Sequence, residues 1–95
     1  MLRVIRKAAI TIFSQSHPDA LAPLLRWYYV AKRASWKNLA DVREDFPHAD
    51  SVEHFTVFNI AGNKYRLITA IKYRWHVVYV RQILTHAEYN KDKWK

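Results

Sequence analysis

Val57-Phe-Asn-Ile-Ala-Gly-Asn-Lys-Tyr-Arg66 is the stretch whose reading decides the fold. Upstream, apolar residues recur at helical spacing; from Phe55 onward they alternate every second position. Gly62, the chain's one glycine, lies between Ala61 and Asn63, where a hairpin reversal needs a positive φ. Phe55–Ile60 and Lys64–Tyr73 therefore read as paired strands. Arg74-Trp75 reads as a tight connection into a further strand, His76–Leu84. Thr85–Lys95 is expected to add a short edge strand and then fray.

Towards the N-terminus the pattern changes. Residues 2–5 suit a first short strand, and Ala9, Ile12 and Phe13 recur at helical spacing between Arg6 and Ser16. His17-Pro18-Asp19 breaks that helix. A second helix is expected from Asp19 to Ala34, with Leu21, Leu24, Leu25, Tyr28 and Ala31 on one face and Pro23 tolerated in its first turn. Asn38 is a good N-cap for a short third helix that ends before Pro47. The expected order is β-α-α-(short α)-β-β-β. This is an α+β fold, an N-terminal strand and two helices packed on a twisted antiparallel sheet, in one domain spanning residues 1–95.

With no cysteine in 95 residues, disulfides, thiolate zinc sites and thiol nucleophiles are excluded. The first residues lack the apolar run of a signal peptide, and no stretch approaches the roughly 18 apolar residues of a membrane span. No membrane association and a cytoplasmic location are expected. The formal charge of +8 is unevenly distributed: residues 1–37 carry +6, residues 38–63 carry −4 and residues 64–95 carry +6. Such a surface favours a polyanion, most simply nucleic acid, or an acidic protein.

The candidate site lies in the C-terminal half. In the long strand, Tyr65, Leu67, Thr69, Ile71 and Tyr73 share the side expected to meet the helices, and Lys64, Arg66, Ile68, Ala70 and Lys72 share the other. If Val78, Val80 and Leu84 are the core set of the next strand, Arg81 stands on the open face beside Arg66, and both guanidinium groups are expected to grip one phosphate. His86 is the candidate proton-transfer residue, because a free imidazole titrates near neutrality. Tyr89, three residues on, reaches the same site only if the backbone bends at Ala87-Glu88; it suits base stacking, with proton donation as a second role. Glu88 is a candidate to fix His86 or pair with an arginine. Asn63 supplies turn geometry beside the hairpin, and Lys64 is a candidate RNA contact. His17, His48, His54 and His76 have no ligand-like spacing, so no metal and no cofactor are expected. Together these groups suit metal-free RNA cleavage, in which a ribose 2′-hydroxyl attacks the adjacent phosphate while cations hold it.

Further segments carry a resemblance: His17-Pro18-Asp19-Ala20, Leu25-Arg26-Trp27-Tyr28, Ala34-Ser-Trp36-Lys37, Phe46-Pro47, Val57–Leu67 and Thr85-His-Ala-Glu-Tyr89. Over essentially its whole length the chain resembles the HigB family of toxins, within the RelE-like superfamily of type II toxin–antitoxin systems. The hairpin and Thr-His-x-Glu-Tyr are the specific motifs. The resemblance implies an mRNA endonuclease acting on message in the ribosomal A site. It also implies a helix-turn-helix antitoxin, HigA, through which alone operator DNA would be bound. Two positions depart from the family pattern: Asn90, commonly Asp, and Leu84, often a small residue. The alternatives are a non-catalytic RNA- or ribosome-binding module, and a degenerate toxin kept for antitoxin binding and operator regulation.

Overall fold

A computed structural model describes residues 1–95. In chain order it has β1 (Arg3–Ile5), α1 (Ala8–Ser16), α2 (Leu21–Arg33), α3 (Leu39–Asp45), β2 (Asp50–Val52), β3 (Phe55–Ile60), β4 (Tyr65–Lys72), β5 (Val77–Thr85) and α4 (His86–Asn90). The strands form one sheet in the order β1-β5-β4-β3-β2. β1 runs parallel to β5, and every other neighbouring pair is antiparallel. The α+β architecture expected from the residues is present, with a mixed sheet in place of an antiparallel one.

Local chemistry sets most element ends. His17, the residue before Pro18, leaves helical geometry (φ −135°, ψ 74°) and ends α1. A single 3₁₀ turn at Pro18–Ala20 then leads into α2. Asn38 caps α3, its Oδ1 accepting from the Asp41 N–H at 3.0 Å. In the β3–β4 turn both Ala61 (φ 54°) and Gly62 (φ 68°) adopt left-handed geometry. A Cβ at Gly62 would meet open space. Its glycine therefore serves conformation rather than close packing.

One face of the sheet, the helix face, carries the main core. Ile10, Leu24, Trp27 and Ala31 pack there against Phe58, Leu67, Val78 and Val80. The Phe58 ring centroid lies 5.4 Å from Trp27, 6.1 Å from Trp36 and 5.2 Å from Phe46. Each such buried side chain stabilises by roughly 1.5–3 kcal/mol relative to exposure.

The opposite, outer face departs from expectation. β5 carries a bulge: Ile68 pairs with Gln82 and Thr69 with Val80, so Arg81 has no partner. The bulge inverts the alternation beyond it. Val78, Val80 and Ile83 meet the helix-face core, whereas Leu84 belongs to a second cluster with Val57, Ile68 and Trp94. The expected placement of Leu84 in the core set with Val78 and Val80 is thereby corrected.

Nor is Thr85–Lys95 an edge strand. Thr85 and Glu88 form a capping box: the Thr85 Oγ1 accepts from the Glu88 N–H (3.2 Å), and Glu88 Oε1 accepts from the Thr85 N–H (2.9 Å). This starts α4. The chain then folds back over the sheet and buries Trp94 to 8% exposure. No helix is long and apolar enough to cross a membrane.

Replacing Trp94 with Ala removes the centre of this second cluster. A loss of roughly 2–4 kcal/mol is expected, read in urea as a lower midpoint at constant m. An unchanged midpoint would mean that the last residues are not part of the cooperative fold.

Candidate functional site

Asn63 organises the site from its turn. Its main-chain oxygen accepts from Arg66 Nη1 at 3.2 Å, and its side-chain Oδ1 accepts from Arg66 Nη2 at 2.5 Å. Arg66 Nη1 also donates to the Tyr65 carbonyl at 3.2 Å. The guanidinium is thus folded back onto its own hairpin, and Arg66 is only 9% exposed. Three of its five N–H donors are used internally, leaving one on Nη2 and that on Nε.

His86 reaches the same oxygen from α4. Its Nδ1 lies 3.1 Å from the Asn63 carbonyl, and its backbone N–H donates to the Lys64 carbonyl at 2.9 Å. A carbonyl oxygen can only accept, so this contact is a hydrogen bond when Nδ1 carries the proton. In the neutral ring Nε2 is then the free lone pair, available to take a proton.

Tyr89 shares the site because α4 is a helix, which puts residues three apart on one side. Its ring centroid lies 5.3 Å from the Arg66 guanidinium carbon. Trp94 stacks on its other side (5.0 Å, 17° between planes) and donates through Nε1 to the Tyr89 carbonyl at 3.0 Å. Gln82 Nε2 in turn donates to the Trp94 carbonyl at 3.2 Å.

Arg81 is not brought to Arg66. Its guanidinium carbon lies 6.0 Å from the Phe55 ring, and Phe55 lies 6.0 Å from Trp94. The row runs Arg66, Tyr89, Trp94, Phe55, Arg81, with three aromatic rings between the two cations. No contact joins the two guanidinium groups directly: they are linked through these three rings, with Arg81 at the bulge. Lys64 and Glu88 are both engaged within the protein. Lys64 Nζ is paired with Asp19, and Glu88 is occupied by Thr85 rather than by His86 or an arginine.

Three contributors escaped the sequence reading. Asp19, which joins Lys64 and accepts from the Tyr65 hydroxyl at 2.6 Å, is the one carboxylate in the first 37 residues. Trp94 is the one aromatic in the otherwise polar tail after Tyr89. Both were visible as exceptions to their surroundings. His17 stacks on Phe13 (4.3 Å) and meets the Tyr65 edge (5.4 Å), with no partner at its buried Nδ1.

Comparison with known proteins places this geometry in a family. Residues 20–92 match the model of the HigB toxin, described as the RelE-like toxic component of a toxin–antitoxin system. The chain belongs to the HigB toxin family. It is 27% identical over 93 residues to the mRNA interferase HigB of Escherichia coli O6:H1 (strain CFT073), covering 95% of this chain and 90% of that one. It is 22% identical over 92 residues to the mRNA interferase toxin HigB of Escherichia coli K12 (94% and 88%), and equally so to the mRNA interferase HigB of Shigella flexneri. As the toxic component of such a system, a HigB toxin has an antitoxin partner.

In this HigB toxin the hydrogen bonds beside the site shift two carboxylates the same way. The Lys64 hydrogen bond foremost, then that of Tyr65, holds Asp19 below its ordinary pKa. The Thr85 backbone N–H does the same for Glu88. Asp19 conversely raises Lys64 and Tyr65. A carboxylate depressed in the folded state stabilises above its unfolded pKa, and that contribution disappears as pH falls through the folded value. Stability should therefore fall on acidification below about pH 5. Asp19→Asn is expected to lower stability at pH 7 and to flatten that acid limb, measured by urea unfolding across pH. A limb of unchanged steepness would place the acid sensitivity elsewhere.

Proposed function

We propose that this toxin is an endoribonuclease that cuts messenger RNA without a metal, by attack of a ribose 2′-oxygen on the adjacent phosphate. The observation that carries the reading is the shared Asn63 carbonyl, which sets a guanidinium and an imidazole side by side. His86 Nε2 takes the 2′-hydroxyl proton as the oxygen attacks phosphorus. The two uncommitted N–H groups of Arg66 stabilise the charge gathering on the phosphoryl oxygens. The bond to the 5′-oxygen breaks, leaving a 2′,3′-cyclic phosphate and a 5′-hydroxyl end. Tyr89, its ring faces taken by Arg66 and Trp94, keeps its hydroxyl free to donate a proton to the departing 5′-oxygen, and solvent carries the proton from His86 back to it.

In this reading Arg81 binds a second phosphate along the strand rather than the scissile one. Asn63 orients Arg66 and His86. Lys64 meets RNA only by leaving Asp19. The relatives named as mRNA interferases support messenger RNA as substrate. The basic charge suits the translating ribosome, with message held in the A site, as the place of action in the cytoplasm. The antitoxin is proposed to be a HigA-type helix-turn-helix protein that alone contacts operator DNA.

The test expresses wild type, His86→Ala and Arg66→Ala in parallel and maps message ends. Growth arrest with 5′-hydroxyl ends is expected for wild type alone, each variant losing at least about 100-fold in cleavage. Cleavage leaving 5′-phosphate ends, or undiminished in folded His86→Ala, would contradict the chemistry.

A further inference from the structure

Trp94 and α4 cover the outer face from the hairpin across β3 to Val52 and Phe55. Beyond them the pairing register sets Lys72 of β4 opposite Val77 of β5, and Val77 opposite Arg3 of β1. Tyr79 stands opposite Ala70 on the same face, because 68, 70 and 72 share one side of β4. Tyr79 is 39% exposed beside that small neighbour. At the end of the two strands Trp75 is 68% exposed, with the Arg74 guanidinium carbon 5.2 Å from its ring. Arg81 marks the border with the covered half. No cavity opens beneath Tyr79. Between Glu53 and Glu88 the chain contains no acidic residue at all.

An exposed ring on a shallow face, Tyr79, with a second, Trp75, in the turn at the strand ends, set near Arg3, Lys72, Arg74 and Arg81, has little use in a monomer. Apolar rings in water are unfavourable, and uncompensated cations repel one another. A single-stranded nucleic acid relieves both, since its bases stack on rings and its phosphates meet the cations. Arg3 and Lys72 lie two strand spacings apart, about 10 Å, so they flank a strand rather than grip one phosphate. An acidic protein segment would answer the charges, but a shallow face offers its side chains no cavity to enter. We propose that this uncovered half-face, centred on Tyr79 and Lys72, is a second RNA-binding surface that holds single-stranded RNA running away from the Arg66–His86 site. The inference rests on the reading that RNA is the substrate, and it adds where the flanking nucleotides lie.

The test measures fluorescence anisotropy of the full chain with non-cleavable 2′-O-methyl RNA of two lengths, a 4-mer and a 12-mer. Wild type is expected to bind the 12-mer at least about tenfold more tightly. Tyr79→Ala and Lys72→Gln should each lose most of that advantage while 4-mer affinity stays within about twofold. Tyr79→Phe, which keeps the ring, should retain it. Equal affinity of wild type for both lengths, or no binding of the 12-mer, would overturn the proposal. An advantage surviving in folded Tyr79→Ala and Lys72→Gln would do the same. So would variants that lose antitoxin binding while RNA affinity is unchanged, since they assign the face to a protein. The two readings fail separately: a 12-mer held through Tyr79 by a protein that cuts no message keeps the surface and removes the nuclease. Message cut equally by wild type and Tyr79→Ala, with equal oligomer affinities, keeps the nuclease and removes the surface.

Discussion

The main-chain oxygen of Asn63 accepts from Arg66 in β4 and lies in hydrogen-bonding reach of His86 in α4. That oxygen is available because left-handed residues at Ala61 and Gly62 turn the β3–β4 connection. Neither a guanidinium nor an imidazole would hold a fixed place on an exposed edge without such a shared acceptor. Freezing one long side chain costs up to about 2 kcal/mol of rotamer entropy. Here two hydrogen bonds to Asn63 and the Tyr89 ring offset that cost, so the charge is positioned before any phosphate arrives.

The second constraint is the bulge at Arg81. One unpaired residue inverts the faces of β5 beyond it, sending Leu84 outward to join Trp94 and Ile83 inward to the helix-face core. The returning C-terminal segment then divides the outer face into a covered end, where the chemistry is sited, and a bare end rich in cations. Arg66 lies within the covered part and Arg81 at its border, against Phe55. This distribution suits a ligand with many phosphates better than one with a single phosphate.

Much of the fold was legible where local chemistry decides it. Asn38 capped the helix it was expected to cap, the residue before Pro18 ended α1, and Phe55–Ile60 formed with the expected bounds. The kinship read from the hairpin and the Thr-His-x-Glu-Tyr motif agrees with the family match. The final helix was misread as a strand although Thr85 and Glu88 stand at capping-box spacing, a signal present in the residues. β2, only three residues long, has no period to read. The site was half legible. His86, Arg66, Asn63 and Tyr89 do gather, but the contact of Arg81 with Phe55 follows a bulge and the packing of Trp94, and neither leaves a periodic trace.

The proposed proton transfer turns on which ring nitrogen of His86 is free to take a proton. Long-range ¹⁵N–¹H correlation of the neutral imidazole reads this directly. The predicted result is the Nδ1-protonated tautomer, with Nε2 bare. An imidazole protonated at Nε2 would show that the Asn63 carbonyl does not hold the ring, and the proposed base would be turned away from the phosphate.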